Sequence, residues 1–311
     1  MSYLQLGASL YVPATRTDLV DIANCHRYPE LRSVIFCTED AVAAQHVPQA
    51  VANLQHMLQQ LVPVGMKRFI RVRNPEVLKT LMATDGIHRL DGFVLPKVTQ
   101  YNFPDYASAI PDEASLLLMP TLETKEVFDP SEMRALLDLL CAVPVRSRII
   151  CLRIGGNDLL HLLALRRSRG GTIYETPLGA TISQLVTIFR PEGFSLTAPV
   201  FDRLDDHAAL MREVRMDVNF GLLGKTAIHP SQISSIESQY QVAETDWEIA
   251  RRILHENALP VFRYADTMCE PATHRRWAEL VVARARIYGL EKSCQSGQHE
   301  ISLDADLNPC S

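Results

Sequence analysis

Short apolar runs alternate with longer amphipathic stretches over most of the chain, and the two kinds of segment have different periods. The runs are SLYV (9–12), SVIFC (33–37), RFIRVR (68–73), GFVLP (92–96), SLLLM (115–119), RIICLRI (148–154), FSLTA (194–198) and GLLGKTAI (221–228). Most are continuously apolar rather than strictly alternating, which marks strands covered on both faces, as in a parallel sheet. Between and after them, helical patterning covers 16–26, 41–60, 75–84, 102–110, 130–141, 157–189 with a break at Gly170 and Gly171, and 203–218. Two further helical stretches, 231–255 and 271–288, follow the eighth run. Eight strand-then-helix alternations predict an α/β fold of the (β/α)8 TIM-barrel type with a C-terminal helical extension, rather than a doubly wound sheet.

Length and composition fit this expectation. The 311 residues are 47% hydrophobic, enough for one large core, and the pattern predicts a barrel domain over 1–290 that includes the helix 271–288. From 291 the chain turns polar and is read as a flexible tail. A net charge of −5 and a pI near 6.1 leave no basic stripe for neutralising phosphates, so a nucleic-acid partner is not expected. No run of about 18 apolar residues offers a membrane span. The opening MSYLQLGASLYVPATR lacks the basic, hydrophobic and cleavage segments of a leader, so a cytoplasmic protein is expected. Seven cysteines stand without a CxxC pair, which argues against a disulfide framework or a zinc site; Cys37, Cys141 and Cys151 read as core thiols.

In such a barrel, chemistry sits on the loops after the strands. Those loops and strand ends carry Glu39, Asp40, Arg71, Arg73, Lys97, Glu123, Asn157, Asp158 and His229. Taken singly, Glu39 with Asp40, Glu123 and Asp158 equally suit helix caps, and Lys97 a surface loop. Arg71 and Arg73 alternate with Ile70 and Val72 and so project to one face, where they need anionic partners. Together, Glu123 and Asp158 meet the needs of Mg2+, which takes one or two carboxylates and fills its shell with water and substrate oxygens. Gly155 and Gly156 would let backbone amides approach a ligand, and Asn157 adds a donor. In GKTAIHPSQI (224–233), Pro230 ends the strand and Ser231 suits a helix cap. His229 is read as structural, hydrogen-bonded beneath the mouth, with a proton shuttle as the alternative.

The ordered motifs resemble the HpcH/HpaI aldolase and citrate lyase beta-subunit family over most of residues 7–288. SLYVPATR is similar to its LFVPG, FCTEDAV to LDLEDAV, IRVRN to VRVN, DGFVLPKV to DGIVLPKV, MPTLET to PLIET and IGGNDLL to LGxxDL. GLLGKTAIHPSQI is close to GFDGKAAIHPSQI, and MCEPATHRRWAELVV resembles the segment containing MIDRP. The resemblance implies a magnesium-dependent carbon–carbon lyase of aldol or Claisen type acting on a 2-oxo or hydroxy acid, with a coenzyme A thioester as one form. It implies Glu123 and Asp158 as metal ligands, Arg71 as the group binding substrate and stabilising enolate charge, and Asp40 for proton transfer or for positioning the metal's waters. Lys97 gives electrostatic support, and a trimer or hexamer is expected, with 271–288 as a contact.

Several positions depart from the family's pattern. Arg73 replaces an asparagine, Cys37 the first aspartate of LDLED, and Gly7 an arginine that helps hold substrate or thioester. These departures keep a second reading open, a catalytically altered barrel that binds an acidic metabolite or a partner protein. No P-loop or GxGxxG supports a nucleotide enzyme.

Overall fold

The computed structural model describes residues 3–111 and 114–291, and the chain divides into two compact units, 1–240 and from Gln241 onward. The first unit holds strands β1 (Ala8–Pro13), β2 (Ser33–Cys37), β3 (Lys67–Arg71), β4 (Gly92–Leu95), β5 (Leu117–Leu122), β6 (Leu152–Ile154), β7 (Leu196–Thr197) and β8 (Lys225–Ala227). Its helices are α1 (Leu19–Ala23), α2 (Val47–Gln59), α3 (Pro75–Met82), α4 (Phe103–Ser108), α5 (Pro130–Ala142), α6 (Gly156–Leu162), α7 (Leu178–Phe189), α8 (His207–Asn219) and α9 (Gln232–Ser238). The strands lie parallel in the order β7-β6-β5-β4-β3-β2-β1-β8, and a bridge between Ala198 and Lys225 joins the two ends of the row. The expected (β/α)8 barrel is the observed one.

Local chemistry sets the helix starts. Asn74, Asp129 and Asp206 each accept a hydrogen bond from a backbone amide in the first turn of α3, α5 and α8, and Pro75 and Pro130 stand where no amide hydrogen is needed. Strand β5 runs on to Leu122 rather than stopping at Met119, because Pro120 lacks only a donor and still pairs in register with Leu95. The helical pattern over 157–189 resolves into α6 and α7, separated by left-handed turns at Ala164 and Gly170 and a short 3-10 turn. Inside the barrel, Leu6, Ile35, Phe69, Val94, Met119 and Cys151 form a fully buried apolar cluster. Each large apolar side chain in it contributes about 1.5–3 kcal/mol of burial free energy. Cys141, expected in the core, is exposed near the end of α5, while Cys37 and Cys151 are buried.

A second buried group is ionic and lies on the outward side of β8. Lys225 Nζ donates to Glu213 Oε1 and Asp217 Oδ2, each at 2.9 Å, and Arg167 Nε donates to Glu213 Oε2 at 3.0 Å. The Tyr174 hydroxyl donates to Asp217 Oδ1 at 2.6 Å, and the side chains of Lys225, Glu213, Asp217 and Arg167 expose no surface. This network clips α8 and the α6–α7 connection to the barrel wall.

In the second unit, α10 (Glu244–Ile253) and α11 (Pro271–Tyr288) flank a hairpin of β9 (Phe262–Tyr264) and β10 (Thr267–Cys269). The stretch 231–255 is thus two helices. Val242 between them pairs instead with Leu290: its amide donates to Gly289 O, and its carbonyl accepts from the Glu291 amide. Val242, Ile249, Ala250, Ile253, Cys269, Ala278 and Val281 form the core of this unit, and Trp277 stays 40% exposed. The polar tail lies, from 292 on, outside the described residues, as do Cys294 and Cys310. No helix among the described residues is long and apolar enough to cross a membrane.

Lys225→Met leaves the buried Asp217 without a cation and Glu213 with Arg167 alone, and is expected to lower the unfolding free energy by about 3–5 kcal/mol in denaturant titration. Arg16→Ala, which breaks the partly exposed Arg16–Asp18 pair, should cost below about 1 kcal/mol. Equal, small losses in both variants would show that the network bears no weight.

Candidate active site

The cavity at the barrel mouth follows from strand periodicity. Two residues beyond the apolar cluster on β2, β3, β5 and β6 stand Cys37, Arg71, Thr121 and Arg153, returned to the inner face by the two-residue repeat. One further step gives Glu123 after β5 and Gly155 after β6. Cys37, Arg71, Thr121, Arg153, Glu123 and Gly155 line a cavity of about 260 Å³ together with Tyr11, Asp40, Gly156, Asn157, Asp158 and Thr226.

Arg71 is the centre of its charge network. Its Nη2 lies 2.8 Å from Glu123 Oε1, 2.9 Å from Glu39 Oε2 and 3.5 Å from Asp40 Oδ2, while its Nε is buried without a hydrogen-bond partner. Burial opposes the Arg71 charge, but Glu123, Tyr11 and Glu39 hold the guanidinium protonated well above its ordinary range. Lys97 reaches the same acids from the rim, with Nζ 2.6 Å from Glu39 Oε1, 3.2 Å from Asp40 Oδ1 and 4.0 Å from Asp158 Oδ1. Its backbone amide donates to Glu123 Oε1 at 2.9 Å. Lys97 adopts a left-handed φ of 51°, a conformation costing roughly 1–2 kcal/mol for a residue with a Cβ. That backbone strain accompanies the aim of its amide at Glu123.

The carboxylates are not equivalent. Burial pushes the Glu123 carboxyl up to about 7; Arg71 opposes the rise and the Asp158 charge adds to it. Asp158 is raised by burial and by Asp40, and Glu39 by burial and its contact with Asp40. Asp40 is held below its usual range: burial works against this, but Glu39, Lys97 and Arg71 outweigh it. Cys37 is a neutral thiol, pushed up by burial, where a carboxylate was the family expectation.

Other predicted residues are placed differently. Arg73 lies beyond the last paired residue of β3, so the alternation breaks there. It is absent from the cavity wall and donates to the Val42 carbonyl at 3.1 Å. The Gly155 amide is used in the barrel, donating to Leu122 O at 3.0 Å, so it is not free for a ligand. What Gly155 supplies is space: a Cβ there would stand 2.3 Å from Glu123 Oε2. At Gly156 a Cβ would meet Pro199 and Ile173, so that glycine serves close packing, while Asn157 is exposed at the rim. Gly7, with φ 58°, opens β1 at the end away from the cavity, and a Cβ there would meet the Glu237 carboxylate at 2.2 Å.

His229 is exposed and absent from the cavity wall. Its Nδ1 lies 2.8 Å from Ser231 Oγ, which therefore does not cap α9. The sequence reading missed Arg153, Tyr11, Thr121 and Thr226. Arg153 carried a signal, a cation within the apolar run RIICLRI beyond the Arg148 that opens it.

The donor set suits a hard cation. Among the described residues no three acids, histidines or cysteines converge as a closed metal cage. Glu123 and Asp158 instead share one cavity, where burial and the neighbouring acid both oppose ionisation of Glu123, an opposition that a bound cation would offset. Two carboxylates with the remaining positions left to water and substrate match magnesium's habit.

The chain is similar to a (3S)-malyl-CoA thioesterase of Cereibacter sphaeroides, 24% identical over 244 residues that cover 78% of this chain and 80% of the relative. It is also similar to the human mitochondrial citramalyl-CoA lyase, 24% identical over 261 residues, 76% of this chain and 72% of that one. Among solved structures, CitE from Mycobacterium tuberculosis in complex with magnesium, acetoacetate and coenzyme A shares the fold with a TM-score of 0.68 at 20% identity, over 91% of this chain and 99% of that one. The model of the C-C bond lyases of the TIM-barrel fold matches residues 1–290, and the chain belongs to that family of carbon–carbon lyases.

Proposed function

We propose that this lyase makes or breaks, with magnesium, a carbon–carbon bond beside the carbonyl or hydroxyl carbon of a small 2-oxo or 2-hydroxy acid, in an aldol or Claisen sense. A coenzyme A thioester is one form of substrate this reading includes. The observation that carries it is the nearly buried Arg71–Glu123 pair in a cavity that also holds Asp158. The names of the malyl-CoA and citramalyl-CoA relatives support a hydroxy-acid substrate, and the magnesium and acetoacetate of the mycobacterial structure support the metal and a small oxo acid.

Glu123 and Asp158 are the residues that would hold magnesium, which supplies Lewis-acid polarisation of a carbonyl oxygen when bound. Arg71 offers the unpartnered Nε to a substrate oxygen, and its fixed positive charge stabilises negative charge developing there as the bond breaks. Asp40, held ionised at the rim with its side chain 54% exposed, accepts the substrate's hydroxyl proton in the cleavage direction. Lys97 keeps Glu39 and Asp40 in place through its two contacts, and the Glu39 carboxylate holds the same Arg71 Nη2 that Glu123 holds.

Glu123→Gln and Asp158→Asn are each expected to weaken magnesium binding by about tenfold or more, a loss of at least about 1.4 kcal/mol, in calorimetric titration. Unchanged magnesium affinity in both variants would remove the metal site from these residues. Arg71→Lys keeps a charge but not the guanidinium fork, and should lower kcat on a malyl or citramalyl substrate by about 100- to 1,000-fold with the melting temperature little changed. A wild-type protein that binds such acids without turning any over would instead support the altered, binding-only barrel.

A further inference from the structure

We propose that Arg153 seats a second carboxylate of the substrate, which makes the preferred substrate a small dicarboxylic 2-oxo or 2-hydroxy acid. This rests on the oxo- or hydroxy-acid site proposed above and names its substrate class more narrowly. Arg153 is only 3% exposed and lines the cavity, yet it forms no ion pair among the described residues. Its side-chain hydrogen bonds go to neutral groups: Nη2 donates to Thr226 Oγ1 at 2.6 Å, and Nη1 makes a weak contact with Met119 Sδ at 3.8 Å.

Three other buried cations of this unit are paired with acids, and a fourth donates to carbonyls. Arg71 has Glu123 and Glu39, Arg167 has Glu213 and Asp202, and Lys225 has Glu213 and Asp217. Arg68 donates to the carbonyls of Val62 and Arg89. A buried guanidinium without an anion is costly, and a site that keeps one is complete when an anion arrives.

The neighbours of Arg153 point the same way. Thr121, its partner in the β5–β6 register, has a buried hydroxyl with no hydrogen-bond partner and lines the same cavity. Tyr11 stands between the two arginines, its ring centroid 5.9 Å from Arg71 Cζ and 5.7 Å from Arg153 Cζ. One end of a short acid is therefore met by Arg71 and the carboxylates around it. The other end is met by a guanidinium fork and a free hydroxyl, donors that match a carboxylate. The cavity, about 260 Å³, is smaller than the roughly 300–1,000 Å³ of drug-sized sites, which suits a short diacid held at both ends.

Oxaloacetate and pyruvate differ by the one carboxylate in question. Calorimetric titration of the full chain in magnesium should find oxaloacetate bound about tenfold or more tighter than pyruvate. Arg153→Met should abolish that preference while leaving pyruvate affinity within about threefold, and Arg153→Lys should keep part of it. Retained pyruvate binding and an unchanged melting temperature show that the variant is folded. Should Arg153→Met not fold, Thr121→Val must narrow the preference, and an unchanged preference there overturns the seat. A preference that survives in Arg153→Met, or an equal loss for both acids, overturns it too. Tighter binding of phosphoenolpyruvate than of oxaloacetate to the wild type overturns the carboxylate assignment. Equal binding of oxaloacetate and pyruvate to the wild type overturns the seat alone, whereas binding of neither overturns the oxo-acid site along with it.

Discussion

The pairing of Arg71 with Glu123 is the interaction on which the barrel mouth depends. The two side chains leave β3 and β5, with β4 between them, and the residue after Pro96 on the β4 loop, Lys97, turns its own amide onto the same Glu123 oxygen. Three consecutive strands thus meet at one carboxylate. Removing that carboxylate and a guanidinium from water costs several kcal/mol for each, which geometry and further hydrogen bonds must offset. All three contacts, to Glu123, Glu39 and Asp40, converge on the one Nη2 nitrogen. A lysine offers a point charge on a flexible stem and lacks the planar guanidinium with its Nε donor.

The fold was legible where burial imposes a continuous apolar run, and less so where pairing is short. SVIFC coincides with β2, and GFVLP overruns β4 by one residue, but β7 pairs over only Leu196 and Thr197 of FSLTA. Site residues at strand exits were legible because a charged letter after an apolar run has few reasons to be there: Asp40, Arg71, Glu123 and Asp158 do share a cavity. Arg73 misled because periodicity holds only while the strand does, and pairing ends at Arg71. Arg153 escaped because it sits inside a run rather than at its end. Only the three-dimensional register shows that its inward neighbours are Tyr11 and Thr226 rather than an acid. Cys141 falls on the outer side of an amphipathic helix, a side that local apolar composition does not reveal.

GKTAIHPSQI shows how one motif serves both faces of a strand. Lys225 points outward into the buried ionic network, and Thr226 points inward to Arg153. Beyond the strand, the buried Gln232 accepts from the Ile228 amide and donates to the Phe201 carbonyl, tying the exit of β8 to the loop after β7. His229 and Ser231 satisfy each other at the surface. The polar letters that end this strand are therefore the means of closing the barrel, and the exposed imidazole takes no part in the cavity wall.

Three of the positions that depart from the family's motifs lie on the cavity wall, whereas Gly7 and Arg73 do not. Cys37 replaces an aspartate, Tyr11 stands where LFVPG has phenylalanine, and Thr226 stands where GFDGKAAIHPSQI has alanine. All three line the cavity that also holds Arg153. Each of the three is fixed by strand pairing rather than by a loop. Substitution there changes which groups a bound acid meets without moving the Arg71–Glu123 pair, because that pair is held from the rim by Lys97 and Glu39. The barrel thereby separates two requirements that compete in a looser site. The carboxylates Glu39, Asp40 and Glu123 are locked to Arg71 and Lys97. On the proposed function, the inward positions Tyr11, Arg153 and Thr226 are the ones left to set which acid fits.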